Sequence, residues 1–134
     1  LLPEDLEAAL DGRAVEKFHI YRIPEERRAA VTERVLACGP MTSASAFPGN
    51  LELTAPGVNK GAAVQGLCAR RGWSADQVMA FGDAGNDLEL LSWAGWSFAM
   101  ANATDQAKAA ARYVTGSNTE AGVAMAVERY FLDT

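Results

Sequence analysis

The hydrophobic and polar positions change rhythm near residue 55. Before it the pattern is mixed: Pro3 starts a short helix through Leu10, and Val15 to Ile23 alternates like a strand, with Val15, Lys17, His19 and Tyr21 set against Glu16, Phe18, Ile20 and Arg22. Pro24 then opens a helix to about Cys38 with Val31, Val35 and Leu36 on one face, and Gly39-Pro40 stops it. A Thr/Ser/Ala-rich run from Met41 to Ala46, a Pro48-Gly49-Asn50 turn and a short strand from Leu51 to Thr54 follow, and two strands joined by such a turn form a hairpin. From Pro56 onward strands and helices alternate strictly. Asn59 caps a helix to Arg71 that buries Ala63, Val64, Leu67 and Cys68, and Gly72 ends it. The unbroken apolar run Val78-Met79-Ala80-Phe81 reads as a strand covered on both faces. A helix from Asn86 to Ala94 with Leu88 and Leu91 inward, a strand from Trp96 to Met100, and a helix from Thr104 to Ala111 continue the series. Tyr113-Val114 is a last short strand; Ser117 and Glu120 have capping-box spacing before a helix with Val123, Ala124, Val127, Tyr130 and Phe131 on one stripe. Covered strands alternating with helices predict a mainly parallel α/β sheet, with ligands at the carboxy ends of its strands.

Composition narrows the partners. With 134 residues, 49% hydrophobic and 22% charged, the chain is globular in composition and the size of one domain. The formal net charge of -5 supplies no basic field, so nucleic acid is not an expected partner. No apolar stretch reaches the roughly 18 residues of a membrane span and no leader pattern opens the sequence, so a soluble, cytoplasmic protein is expected. Cys38 and Cys68 lack metal-ligand spacing and read as buried thiols. His19 reads as a partly exposed sheet residue, Trp73, Trp93 and Trp96 as packing residues, and Arg13, Arg22, Arg27 and Arg28 as a solvated face, with Arg22 the candidate for contact with a substrate anion.

Two segments carry candidate chemistry. Gly82-Asp83-Ala84-Gly85-Asn86-Asp87 falls where a buried strand ends and a helix begins, so two carboxylates and an amide offer hard oxygen ligands to a Mg2+-like ion. Asp83 and Asn86 also suit plain helix capping. Lys60, in the first turn of a helix, lies beside the positive end of the helix dipole, where a cation is disfavoured unless an anion is held there; a solvated surface lysine is the simpler alternative.

Taken together, these segments resemble the Cof-like branch of the haloacid dehalogenase superfamily. The resemblance runs from Leu51 to the end, through Glu52 with Gly57-Val58-Asn59-Lys60-Gly61, Gly82 to Asp87 with Leu88-Glu89-Leu90-Leu91, Ala99-Met100-Ala101-Asn102-Ala103, Lys108 to Ala111 with Tyr113-Val114-Thr115, and Asn118 to Val123. It implies a Mg2+-dependent phosphatase of small phosphate esters, sugar phosphates or similar, working through an aspartyl-phosphate. Lys60 and Asp83 would be catalytic, Lys60, Asn86 and Asn102 would hold the phosphate, and Asp83 and Asp87 would hold the metal. The implied architecture is α/β, a partial haloacid-dehalogenase-like Rossmannoid parallel sheet over residues 55–134 with the remnant of an α+β cap over residues 1–54.

The family opens with a strand ending in Asp-x-Asp, whose first aspartate is the nucleophile, and these 134 residues contain no Asp-x-Asp. The chain therefore resembles the carboxy-terminal portion of such an enzyme. It is expected to be inactive alone and to form a homodimer or bind a complementing amino-terminal fragment. The alternative is a non-catalytic remnant serving as a binding module.

Overall fold

In a computed structural model, Ala8 and residues 10–132 are described. The expected helix from Pro3 to Leu10 lies largely outside them. Among the described residues six strands form two separate three-stranded sheets, one before and one after residue 55.

The first sheet contains β1 (Lys17–Ile20), β2 (Thr42–Ala44) and β3 (Leu51–Thr54), all antiparallel, with β3 in the centre. Its register pairs His19 and Ala44 with Glu52, and Lys17 and Thr42 with Thr54, so these mostly polar residues share one face. The opposite face carries Leu51 and Leu53, buried together with Ile23 against Val31 and Val35 of helix α1 (Glu25–Leu36). The helix opens after Pro24, whose φ of -59° suits a helix start. Leu36, expected on the inner face, is exposed, as is Cys38 in the turn beyond the helix. The apolar stripe is only as wide as the small sheet beneath it.

Thr54 closes the connection to the second unit: its Oγ1 donates to the Val58 carbonyl at 2.8 Å, while Thr42 Oγ1 accepts the Gly57 N–H at 2.8 Å. Helix α2 (Lys60–Arg71) follows with both expected caps, Asn59 Oδ1 accepting the Ala62 N–H at 2.7 Å and Gly72 left-handed at φ 70°.

The second sheet is parallel, in the order β4 (Met79–Gly82), β5 (Trp96–Ala99), β6 (Tyr113–Val114). Helices α3 (Leu88–Trp93) and α4 (Asp105–Ala110) are its crossovers. Leu91, Ala99, Met100, Ala103 and Ala107 form its core on one side. Across the strands, Phe81, Phe98 and Tyr113 are in register and stack at 5.3 and 5.1 Å, and Tyr130, following helix α5 (Gly122–Val127), closes over Phe98 at 5.3 Å.

Several burial expectations are corrected. Ala63 and Leu67 of α2 are exposed, and only Gly61 and Cys68 are buried there. The reason is geometric: α2 packs on α3 through Gly61, where an added Cβ would lie 2.8 Å from the Glu89 carbonyl carbon, and its flank with Ala63 and Leu67 is exposed. The same side of the sheet ends at β4, which pairs only with β5 among the described residues. Ala80 and Gly82 are buried while Met79 and Phe81 are half-buried, so this strand is not covered on both faces. On α5 the buried residues are Gly122 and Ala126, whereas Val123 and Ala124 of the expected inner stripe are exposed. Trp73 is also exposed; Trp96 packs as expected, against Tyr113 and Phe131. Ser117 and Glu120 do pair, with Ser117 Oγ donating at 2.7 Å, but they close a turn before Ala121 rather than cap the helix directly.

Candidate active site

The loop after β4 is organised by one carboxylate. Asp87 is buried, its side chain 8% exposed, and its Oδ2 accepts the backbone N–H of Asp83 at 3.0 Å and of Ala84 at 3.4 Å. Its Oδ1 receives the Lys60 ammonium at 2.5 Å. This packing needs glycine at 82, because a Cβ there would fall 2.5 Å from Asp87 Cβ. The second aspartate of the motif therefore closes the turn that displays the first. Asp83 itself is exposed at the strand end, and among the described contacts its carboxylate has no hydrogen-bond partner.

Lys60 thus has part of its anion. The carboxylate of Asp87 offsets the helix-dipole penalty, and with its side chain 52% exposed the ammonium uses one of its three donors on protein. Loop-to-loop hydrogen bonds fix the surroundings. Thr104 N–H donates to the Asp83 carbonyl at 3.0 Å, and Asn102 Oδ1 accepts the Asn118 N–H at 3.0 Å. Asn86 N–H donates to the Ser45 carbonyl at 3.1 Å, which ties the loop to the first sheet.

The five expected site residues are brought near one another without sharing a single cavity. Asp83 and Asn102 line an open cleft of about 580 Å³ together with Glu25, Arg28, Ser45 and Phe47 of the first unit. Lys60 and Asn86 line a smaller space of about 60 Å³ with Lys17, Thr42 and Glu52. Asp87 is the link, bonded to Lys60 on one oxygen and to the Asp83 loop on the other. Arg22, the expected anion contact, is exposed at φ 59° and lines neither space.

A second charged group borders the smaller space. Glu52 is buried and accepts from Lys17 Nζ at 2.8 Å, with His19 Nε2 at 3.4 Å and Asn50 Nδ2 at 3.5 Å. The hydrogen bond from Lys17, then the charges of Lys17 and His19, hold its carboxyl below the ordinary glutamate value, against the opposing effect of burial.

The donor set suits a hard divalent ion only in part. Among the described residues no three His, Cys, Asp or Glu side chains gather closely enough to hold a metal by themselves. Mg2+ asks less, since it keeps several waters and takes one or two carboxylates plus a substrate phosphate. The unpaired carboxylate of Asp83 fits that role; both oxygens of Asp87 are already engaged.

Arg28, Ser45 and Thr104 were not singled out as site residues from the sequence. Arg28, expected on a solvated face, is half-buried and donates to the Asn50 carbonyl at 2.9 Å. No local pattern marks it, because its partner Asn50 lies 22 residues away.

A model of the haloacid dehalogenase-like hydrolases matches residues 4–127. The chain belongs to that family. Its Cof-like branch is represented among the structures it resembles by a candidate HAD/COF-like hydrolase from Plasmodium vivax, with a TM-score of 0.84 and 31% identity, covering 96% of this chain and 46% of that one. Similar again is the subclass IIB sugar phosphatase BT4131, with a TM-score of 0.79 and 27% identity over 92% of this chain and 46% of that one. In sequence the chain is 35% identical over 108 residues to the Bacillus subtilis 5-amino-6-(5-phospho-D-ribitylamino)uracil phosphatase YcsE, which is 81% of this chain and 43% of the relative. The chain therefore spans less than half the length of these family members. Among the described residues no helix is long and apolar enough to cross a membrane.

Proposed function

We propose that this chain supplies the lysine and metal-binding half of a Mg2+-dependent phosphatase site acting on small phosphate esters such as sugar phosphates. The observation that carries the reading is the chain of contacts Lys60–Asp87–Asp83 at the carboxy end of a parallel strand. It puts one cation and one unpaired carboxylate on either side of a fixed loop, the charges that phosphoryl transfer requires. The similar proteins are phosphatases of a sugar phosphate and of a phosphorylated ribityl compound, which supports the substrate class.

In this reading Asp83 holds the ion, which when bound neutralises charge on the transferring phosphoryl group. Lys60 donates to a phosphate oxygen with the N–H groups that Asp87 leaves free, and Asp87 fixes both partners instead of ligating the metal directly. Asn102 and Asn86 border the phosphate from neighbouring loops. The displacing aspartate must come from an Asp-x-Asp strand, which these 134 residues do not contain. The alternative reading is a phosphate-binding module without turnover.

Both readings require phosphate and metal to bind together. Calorimetric titration with inorganic phosphate should show binding that depends on Mg2+, is abolished by Asp83→Ala, and is weakened about tenfold or more by Lys60→Ala. Phosphate binding indifferent to Mg2+ and to both substitutions would remove the site from this loop.

A further inference from the structure

The loop that displays Asp83 is fastened at its middle from the other sheet. Its beginning is held by the parallel unit, where the Gly82 carbonyl accepts the Met100 N–H at 3.0 Å and the Asp83 carbonyl accepts the Thr104 N–H at 3.0 Å. Further along, the Asn86 N–H donates to the Ser45 carbonyl at 3.1 Å. The approach is so close that a Cβ on Gly85 would lie 3.2 Å from that same oxygen, and glycine there lets the two backbones meet. Ser45 begins the turn between β2 and β3. A turn that braces a site loop must itself be held in one conformation.

Asn50, at the far end of that turn, holds it. Its residue is 0% exposed, yet each of its polar groups is engaged. Oδ1 accepts the N–H of Ala46 at 3.0 Å, the N–H of Phe47 at 3.1 Å and the Ser45 hydroxyl at 3.0 Å. Three donors converging on one oxygen fix which way the amide points, and Nδ2 then faces Glu52 Oε1 at 3.5 Å. The main chain adds to this, because the Asn50 N–H donates to the Phe47 carbonyl at 3.3 Å and its carbonyl accepts from Arg28 at 2.9 Å. Core packing alone would be served by an apolar side chain. A buried amide with its polar atoms satisfied does something else: it specifies one conformation of the turn, since any other leaves those atoms unpaired away from water.

We propose that Asn50 is a positioning residue of the phosphate site. It fixes the turn at residues 45–47, the turn fixes the Ser45 carbonyl, and that carbonyl fixes Asn86 and with it the loop that carries Asp83. Asn50 itself lines neither of the two spaces beside the loop, so it acts through Ser45 and not by contact with metal or phosphate. This role rests on the phosphate site proposed above and makes the geometry of that site depend on a side chain in the opposite unit.

Amide hydrogen exchange and calorimetric titration with inorganic phosphate and Mg2+ test it on the 134-residue chain, at a temperature where circular dichroism shows each variant folded. Asn50→Ala takes away the acceptor of three donors, so exchange at the Asn86 amide should rise about fivefold or more while the amides of β5 keep their parent rates. Mg2+-dependent phosphate affinity should fall by a similar factor. Ser45→Ala removes one of the three donors, at a half-buried position, and keeps the carbonyl. It should move both readouts the same way by about twofold, and it decides the matter if Asn50→Ala does not fold. An Asn86 amide that keeps its parent rate in the folded variants overturns the role of Asn50 and leaves the phosphate site standing. So does faster exchange across both sheets with phosphate affinity unchanged, which is what a merely structural role would produce. Absence of Mg2+-dependent phosphate binding to the parent chain overturns the phosphate site, and this role with it.

Discussion

Lys60 is the residue whose placement the sequence makes most informative, because a cation in the first turn of a helix needs an anion close by. The structure provides Asp87, a partner 27 positions away that no local pattern announces. Asp83 and Asp87 were legible as a pair, but not their division of labour: which carboxylate is displayed and which is spent on backbone N–H groups depends on the turn at Gly85–Asp87. Glu52 belongs to the same class. Its strand position was legible, while its ion pair with Lys17 arises from the register of β1 on β3. That pairing has a pH consequence. Because the folded-state pKa of Glu52 lies below the ordinary glutamate value of 4.5, its contribution to stability is fully present above about that pH and is lost as the pH falls through the folded value. Thermal melts from pH 7 down to pH 3 should therefore show Glu52→Gln less stable than the parent at neutral pH, with the gap closing in the acid range. A gap that stays constant with pH would mean that the carboxylate charge does not matter.

At the scale of elements, caps and breakers were read well and coverage was not. Asn59, Gly72, Pro24 and Thr104 mark helix ends through backbone conformation and local hydrogen bonds, which are properties of a few neighbouring residues. Ala63, Leu67, Val123 and Ala124 are exposed although periodicity places them on apolar stripes, because periodicity carries no information about what lies against a stripe. A contrast on α2 separates the two kinds of statement. Asn59→Ala removes the side chain that accepts the Ala62 N–H and should cost about 1 kcal/mol in urea denaturation. Leu67→Gln, at a residue 42% exposed, should stay within about 0.5 kcal/mol of the parent. A loss at Leu67 as large as at Asn59 would show that this flank is covered in solution.

For the molecule as a whole, the α/β class and the order of elements followed from the alternation of strands and helices, whereas the separation into two sheets followed from register and turn geometry that the pattern leaves open. The segment from Val15 to Ile23 illustrates this: it forms an edge of the first sheet and leaves the edge of β4 unpaired among the described residues. A parallel strand with one free row of N–H and C=O groups beside the half-buried Met79 and Phe81 is adhesive. Light scattering of the purified 134-residue chain, with its mass verified, should give a particle heavier than the 14.2 kDa of one chain; a monodisperse monomer with a cooperative melt would contradict this. In the proposed function the chain carries the lysine and metal side of a phosphatase site whose nucleophile lies on an Asp-x-Asp strand. It is tested most directly by p-nitrophenyl phosphate hydrolysis with Mg2+, using the chain alone and the chain combined with an amino-terminal half bearing that strand. Turnover should be negligible for the chain alone and Mg2+-dependent in the combination, where it should fall about 10²-fold or more with Lys60→Ala and with Asp83→Ala. Turnover at an ordinary enzymatic rate by the chain alone, or equal and small effects of the two substitutions in the combination, would contradict it.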